Sequence, residues 1–411
     1  VCGVVNNPTA LEDKMRLANW TRAVSRSAIQ EMMSVVGRDD VLSFGLGLPA
    51  AELFPTEDYA RSLQQVLNAG PQALQYGMQF KPLKSHIVAL MAQRGVRCCE
   101  EQVFLTAGAQ QGVSLLTRLF LDEGATVLCE NVIYTGFRQV IEPFRPVLSL
   151  VPTNAQAGID IEAVEAVLTG GTRPAFMYVI PDGHNPLAVS LSPATRARLV
   201  ELARLYRTPI VEDDPYGLLY YEDAPRAPLR SLDERWVCYV GSFSKILAPG
   251  LRLGWIVADR SLINHLSVIK ESSDIDTCTL NQRAVSAYLD TGRMGSHLAA
   301  LRREYRDRRD AMQNALVKYF PHGTRWQEPS SGFFLWVELP RPLDMARLLQ
   351  YAVETRKVAF IPGKAFHVSP QGNESCSMRL NFSYCAPSRI EEGIARLGQA
   401  VNEFDSRRAT V

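Results

Sequence analysis

The chain has 411 residues, a net charge of +1, and 46% hydrophobic against 21% charged residues, the balance of a globular protein long enough for two domains or one large α/β domain with an appendage. It has no basic block, so neither nucleic acid nor an anionic membrane is an expected partner, and no run approaches the ~18 apolar residues of a spanning helix. Eight scattered cysteines without a Cys-x-x-Cys pair and six isolated histidines argue against a metal site and a disulfide framework, and suit a reducing cytoplasm.

Residues 1–18 read as a polar, irregular arm without the basic and long apolar regions of a signal peptide. Asn19 to Gly37 has helical spacing, with Trp20, Val24, Ile29, Met32, Met33 and Val36 available for one face. Val41 to Gly47 reads as a short extended segment entering the loop Gly45-Leu46-Gly47-Leu48-Pro49. Helices are expected near 58–68 and 82–94, separated by a loop that carries Tyr76.

From Gln102 onward the pattern alternates. Strands are expected near 102–106, 126–129, 146–152, 175–180, 209–211, 237–240 and 253–257. Helices near 107–121, 134–142, 159–168 and 195–206 lie among them. This rhythm predicts an α/β fold with a mostly parallel sheet covered by helices on both faces. Helices near 261–273, 280–289 and 294–319 follow. After Pro321 the pattern becomes α+β, with strands near 332–338, 358–361 and 377–382 and helices near 344–355 and 387–404. The expected division is an N-terminal arm and helix (1–50), a large domain (51–295) and a smaller C-terminal domain (296–411).

The stretch 237–257 concentrates the chemistry. An apolar run leads through Gly241 to Ser242-Phe243-Ser244-Lys245, then Pro249-Gly250 and Arg252, and a second apolar run follows. Lys245 is either a solvated loop residue or an amine in a protected pocket. In a pocket, desolvation favours the neutral amine that forms a Schiff base with an aldehyde or ketone. The two serines and Arg252 suit a phosphate ester, and the combination suggests pyridoxal phosphate (PLP).

Other candidates lie just after strands, where open α/β sheets place their ligands. The turn Ala107–Gln111 opens a helix and is either a plain turn or a phosphate cradle. Asp213 is a cap, a bulge partner, or the partner of a protonated pyridine nitrogen. Asn185 and Tyr216 could donate to a phenolic oxygen, and Tyr134 is a core aromatic or a platform for a flat ring. Arg379, in the strand-like Ser-Met-Arg-Leu-Asn-Phe-Ser, requires an anion: a substrate α-carboxylate or a structural ion pair.

Taken together, Ala-Gly-Ala-Gln-Gln-Gly (107–112), Tyr134, His-Asn-Pro (184–186), Glu-Asp-Asp-Pro-Tyr (212–216), Ser-Phe-Ser-Lys with Pro-Gly-Leu-Arg-Leu-Gly (242–254) and Met-Arg-Leu-Asn-Phe (378–382) resemble the fold-type I aminotransferases. The likeness is to the class I/II subgroup with kynurenine/2-aminoadipate aminotransferases and the effector domains of MocR-type regulators. It implies the PLP-dependent transferase fold of type I: a mostly parallel seven-stranded sheet flanked by helices, with a smaller α+β C-terminal domain. It also implies transfer of an amino group between an L-amino acid and a 2-oxo acid through a Schiff base on Lys245.

By the same resemblance, Lys245, Asp213 and Tyr216 are catalytic, with Asp213 on the pyridine nitrogen. Tyr134 stacks on the ring, Asn185 and Tyr216 bind the phenolic oxygen, and Ala109, Gln110, Ser242, Ser244 and Arg252 hold the phosphate. Arg379, with Gly47 and Asn185, takes the substrate carboxylate. Tyr76 arrives from the second subunit of a homodimer, and the helix 19–37 lies over the entrance. Two departures stand out. Leu187-Ala188 replaces the family's usual Thr-Gly, which suggests a loop shaped for an unusual substrate, and Ala109 replaces a common phosphate-binding serine. The alternatives are another PLP reaction (β- or γ-replacement, cyclisation or oxidation) and a non-catalytic PLP-binding sensor.

Overall fold

The computed structural model describes residues 18–22, 38, 40–221, 224–368 and 376–408. Asn19–Arg22 forms one 3-10 turn. The remainder of the helix expected over 19–37 lies outside the described residues.

Seven strands form the central sheet: β1 (Val103–Thr106), β2 (Thr126–Glu130), β3 (Val147–Val151), β4 (Phe176–Val179), β5 (Ile210–Asp213), β6 (Val237–Ser242) and β7 (Gly254–Val257). Their order across the sheet is β1-β7-β6-β5-β4-β2-β3. Neighbours are parallel except at β7, which runs antiparallel to both β1 and β6. Every residue of β4, β5 and β6 is buried, which is why each contains an apolar run without alternation: both faces are covered. Phe176, Tyr178 and Val211 join Val113, Leu116 and Phe137 on one face, whereas Met177, Val179 and Ile210 join Leu168, Leu199 and Leu202 on the other.

β5 and β6 each run two residues beyond the apolar stretches that announce them. Backbone pairing continues through Asp213 opposite Val240 and Ser242 opposite Gly254, because the ladder depends on main-chain groups and not on side-chain polarity. Two polar side chains are thereby held rigidly at strand ends.

A second, antiparallel sheet contains β8 (Arg325–Trp326), β9 (Phe334–Glu338), β10 (Ile361–Pro362) and β11 (Ser377–Asn381), in the order β8-β9-β11-β10. The single strand expected over 358–361 is split. Val358–Ala359 pairs in parallel with Leu42–Ser43, while Ile361 and Pro362 pair with β11. That exchange of partners about Phe360 ties the 40s segment to the C-terminal sheet and brings Gly45 to Leu48 over the ends of the central strands. The helix expected over 344–355 is α-helical only at Met345–Tyr351 and ends in a π turn at Ala352–Arg356.

Candidate active site

A cavity of about 470 Å³ opens between the two sheets. Its walls include Gly47, Ala109, Gln110, Tyr134, Asn185, Asp213, Tyr216, Ser242, Ser244, Lys245, Arg252 and Arg379. Thus all the expected site residues converge except Tyr76.

Asp213 lines the cavity. Tyr178, on the neighbouring strand, donates its hydroxyl to Asp213 Oδ2 at 2.6 Å, and Asp213 Oδ1 is buried without a partner. Burial pushes this carboxyl up to about 6, opposed by the Tyr178 bond. An unpartnered buried acceptor is costly and suits an N–H arriving from a ligand. The next residue anchors the segment: Asp214 accepts from Arg94 Nη1 at 2.8 Å and from the Gly217 N–H at 2.7 Å. Arg94 and Arg196 both donate to Asp182, at 3.0 and 2.6 Å. All four groups are buried, so the loop bearing Asn185 and the segment bearing Tyr216 are joined through one charge network.

Lys245 Nζ donates to the Gly47 carbonyl at 2.8 Å. Burial lowers its pKa to about 8, aided by the positive charges of Arg379 and Arg252. The amine is therefore far easier to neutralise than an exposed lysine.

The helix Ala109–Phe120 brings its N-terminal residues Ala109 and Gln110 to the cavity wall, and the first N–H groups of a helix lack partners within it. Gly108 precedes it at φ 93°, a conformation that favours glycine. A Cβ there would lie 2.7 Å from Arg252 Nη2. Arg252 donates to the Ala107 carbonyl at 2.9 Å, and Ser242 Oγ accepts from the Ser244 N–H at 3.1 Å. A helix N-terminus, two hydroxyls and a guanidinium thus surround one end of the cavity, a donor set for a phosphate.

Arg379 has 1% exposure. Its Nη1 donates to Asn185 Oδ1 and its Nη2 to the Gly45 carbonyl, each at 2.6 Å, while Nε is unpartnered. No carboxylate among the described residues pairs with it, so the structural ion pair considered from sequence is not what holds it. Gly45, in the same glycine-rich loop as Gly47, supplies the carbonyl against this arginine.

Tyr76 is 81% exposed and lies outside this cavity. The expectation that Leu187 and Ala188 shape the substrate space is corrected. Leu187 packs with Val132, Val189, Trp336 and Phe366, Ala188 is buried in the main core, and neither lines the cavity. Sequence reasoning missed Tyr178, Phe334 and Gln139. A tyrosine in an otherwise apolar buried strand needs a partner for its hydroxyl, which was a usable signal. Phe334 and Gln139 offered none.

An amine of lowered pKa, a bare carboxylate oxygen and a phosphate cradle in one cavity fit the aldehyde, the pyridine nitrogen and the phosphate of PLP, and define a PLP-binding site. Residues 39–397 match the family Aminotransferase class I and II, and the chain belongs to it. It is 36% identical to aromatic-amino-acid aminotransferase 1 of Thermococcus litoralis over 92% of each chain. It is 35% identical to the 2-aminoadipate transaminase of Thermus thermophilus, covering 94% of this chain and 98% of that one. The solved structure of Pyrococcus horikoshii kynurenine aminotransferase in complex with PMP, kynurenine substrate and product superposes with a TM-score of 0.89 at 33% identity, covering 96% of this chain and 98% of that one. The chain is a PLP-dependent aminotransferase.

Proposed function

We propose that the enzyme moves the amino group of an L-amino acid with a large apolar or aromatic side chain onto a 2-oxo acid. The observation that carries this reading is the pairing of Lys245, an amine of lowered pKa, with Arg379, a buried guanidinium without a carboxylate, in one cavity. Leu46, Leu48, Ile180 and Phe334 form an apolar wall, in keeping with the aromatic-amino-acid relative.

PLP, when bound, supplies the electron sink that makes the substrate Cα–H acidic. Asp213 Oδ1 accepts the pyridine N–H. The Ala109 and Gln110 N–H groups, Ser242, Ser244 and Arg252 hold the phosphate, and Tyr134 covers the ring. Asn185 Oδ1 is already engaged by Arg379, which leaves its amide N–H to donate to the phenolic oxygen beside Tyr216. Arg379 holds the substrate carboxylate, next to Gly47. Lys245 Nζ would take the proton from the substrate Cα and return it to the cofactor carbon on the other side of the substrate nitrogen, acting as base and then acid.

The exposed Leu74, Tyr76, Met78 and Ile275 support a homodimer in which Tyr76 enters the partner's site. Ile275 is held at φ 67°, unusual for a β-branched residue at an exposed position. Mixing inactive Lys245→Ala and impaired Tyr76→Ala proteins should restore activity in hybrid dimers; no recovery on confirmed hybrid formation would refute the shared site. The large part at 51–295 and the smaller part at 296–411 are our reading of the two sheets. The seven described cysteines are all free, which supports a cytoplasmic setting.

The decisive experiment mixes the holoenzyme with a panel of L-amino acids without acceptor. Conversion to the pyridoxamine spectrum with stoichiometric 2-oxo acid is expected. Ammonia release with the cofactor spectrum regenerated would replace transamination with an elimination reaction.

A further inference from the structure

Arg379 is a buried cation whose two observed hydrogen bonds go to neutral oxygens. Burying a charge without a counter-charge costs several kcal/mol, so something else must hold the guanidinium in place. Two aromatic rings pack against it. The centroid of Phe334 lies 4.2 Å from Cζ and that of Phe366 4.7 Å away. Both are within the range where a ring face attracts a cation, and desolvation strengthens that attraction.

The rings are themselves fixed. Tyr216 meets Phe334 edge-on at 6.1 Å and 85°, and a Cβ on Gly47 would lie 2.6 Å from the tip of the Phe334 ring. Trp336 meets Phe366 edge-on at 6.3 Å and 69°. The segment carrying Phe366 also grips the chain just before Tyr134: the Phe366 carbonyl accepts from the Ile133 N–H at 3.0 Å, and the Val368 N–H donates to the Asn131 carbonyl at 3.0 Å. Val132 and His367 form a bridge between these two hydrogen bonds.

We propose that Phe366 is a positioning residue for substrate: with Phe334 it forms an aromatic pair that replaces a carboxylate as the stabiliser of Arg379, keeping the guanidinium charged and in place for the substrate carboxylate. A resident carboxylate would compete with the substrate for the guanidinium, whereas ring faces cannot. Phe334 also lines the cavity and touches whatever binds there. Phe366 does not line it and acts through Arg379 alone, so it is the cleaner variant. This inference rests on the reading of Arg379 as the substrate-carboxylate site.

The test uses the holoenzyme and 3-phenylpropanoate, a monocarboxylate without an amino group, with binding followed by calorimetry. Phe366→Leu keeps an apolar side chain but removes the ring face, and Phe366→Tyr keeps the face. Phe366→Leu should weaken binding about 10-fold or more, and Phe366→Tyr should restore it to near the parent value. In turnover the loss should appear in KM more than in kcat. Equal weakening in both variants would make Phe366 a packing residue, and unchanged binding in Phe366→Leu would remove its role; either result overturns the proposal. Arg379→Lys separates the two levels. If it too leaves binding unchanged, the carboxylate assignment fails, and the aromatic-pair proposal fails with it.

Discussion

The Tyr178 hydroxyl reaches Asp213 Oδ2 at 2.6 Å and leaves Oδ1 bare. The bond stabilises the charged carboxylate and opposes the burial that lifts its pKa to about 6. Asp213 must be ionised to receive a protonated pyridine nitrogen, so cofactor affinity of the cofactor-free protein should fall as pH drops through about 6. Tyr178→Phe removes a donor to the charged form, which raises that pKa further and moves the fall to higher pH. At neutral pH the variant should bind PLP about tenfold more weakly, the usual scale for a hydrogen bond to a charged group. Titrating the cofactor-free protein with PLP between pH 5 and 8 checks both the shift and its sign.

Lys245 gives a second pH signature. Its pKa is lowered to about 8, so the neutral amine that attacks the cofactor aldehyde is the minority form at pH 7. Capture of PLP should accelerate with pH and level off above about 8. Borohydride should then fix the cofactor on the peptide containing Lys245. Lys245→Ala should bind PLP without being labelled and lose turnover by roughly 10³-fold or more, the scale of a lost general base. A rate of capture independent of pH from 6 to 9 would contradict the lowered pKa.

The phosphate cradle depends on close approach. Gly108→Ala places a methyl 2.7 Å from Arg252 Nη2 and forces a side chain into φ 93°. It should weaken PLP binding at least about tenfold, because the guanidinium is displaced from one of the few strong anion contacts. Ala109→Ser should act the other way. It adds a hydroxyl at the helix N-terminus facing the cavity, and one more hydrogen bond should tighten PLP by about 3- to 10-fold. Equilibrium dialysis of both variants decides.

The seven central strands were legible because both faces of that sheet are covered, leaving apolar runs separated by helical spacing. The site was legible in part because its residues follow those runs. Arg379 shows the boundary: its residue type called for an anion, but only its surroundings revealed that no described carboxylate serves it and that two rings do. Phe334 and Phe366 lie in ordinary apolar patterns, and nothing local distinguishes a ring packed on a cation from one packed on leucine. Tyr178 differs: the run Phe-Met-Tyr-Val is sufficient as core, and only a hydroxyl that needs a partner once buried marked it. Leu187 failed for another reason. The direction of a side chain in a tight loop is set by backbone dihedrals that its neighbours impose, and these send it into an apolar cluster away from substrate.

Ala188 follows from that same loop. It lies at φ 63°, in the left-handed region, where a Cβ costs roughly 1–2 kcal/mol. Glycine would relieve that strain. It would also lose a buried methyl worth about 0.8 kcal/mol and add about 0.5–1 kcal/mol of unfolded-state entropy to be overcome. The terms nearly cancel, so Ala188→Gly should leave stability within about 1 kcal/mol of the parent, which explains why alanine is tolerated here. Ala188→Val adds a β-branched side chain to the same left-handed backbone in a buried site and should cost about 2–3 kcal/mol or more, from overpacking and backbone strain together. Because the residue does not line the cavity, the glycine variant should retain the parent's ranking of amino acid substrates. Denaturant unfolding of both variants, with kcat/KM for three amino acids on the glycine variant, tests the balance. A changed ranking would return the loop to substrate selection.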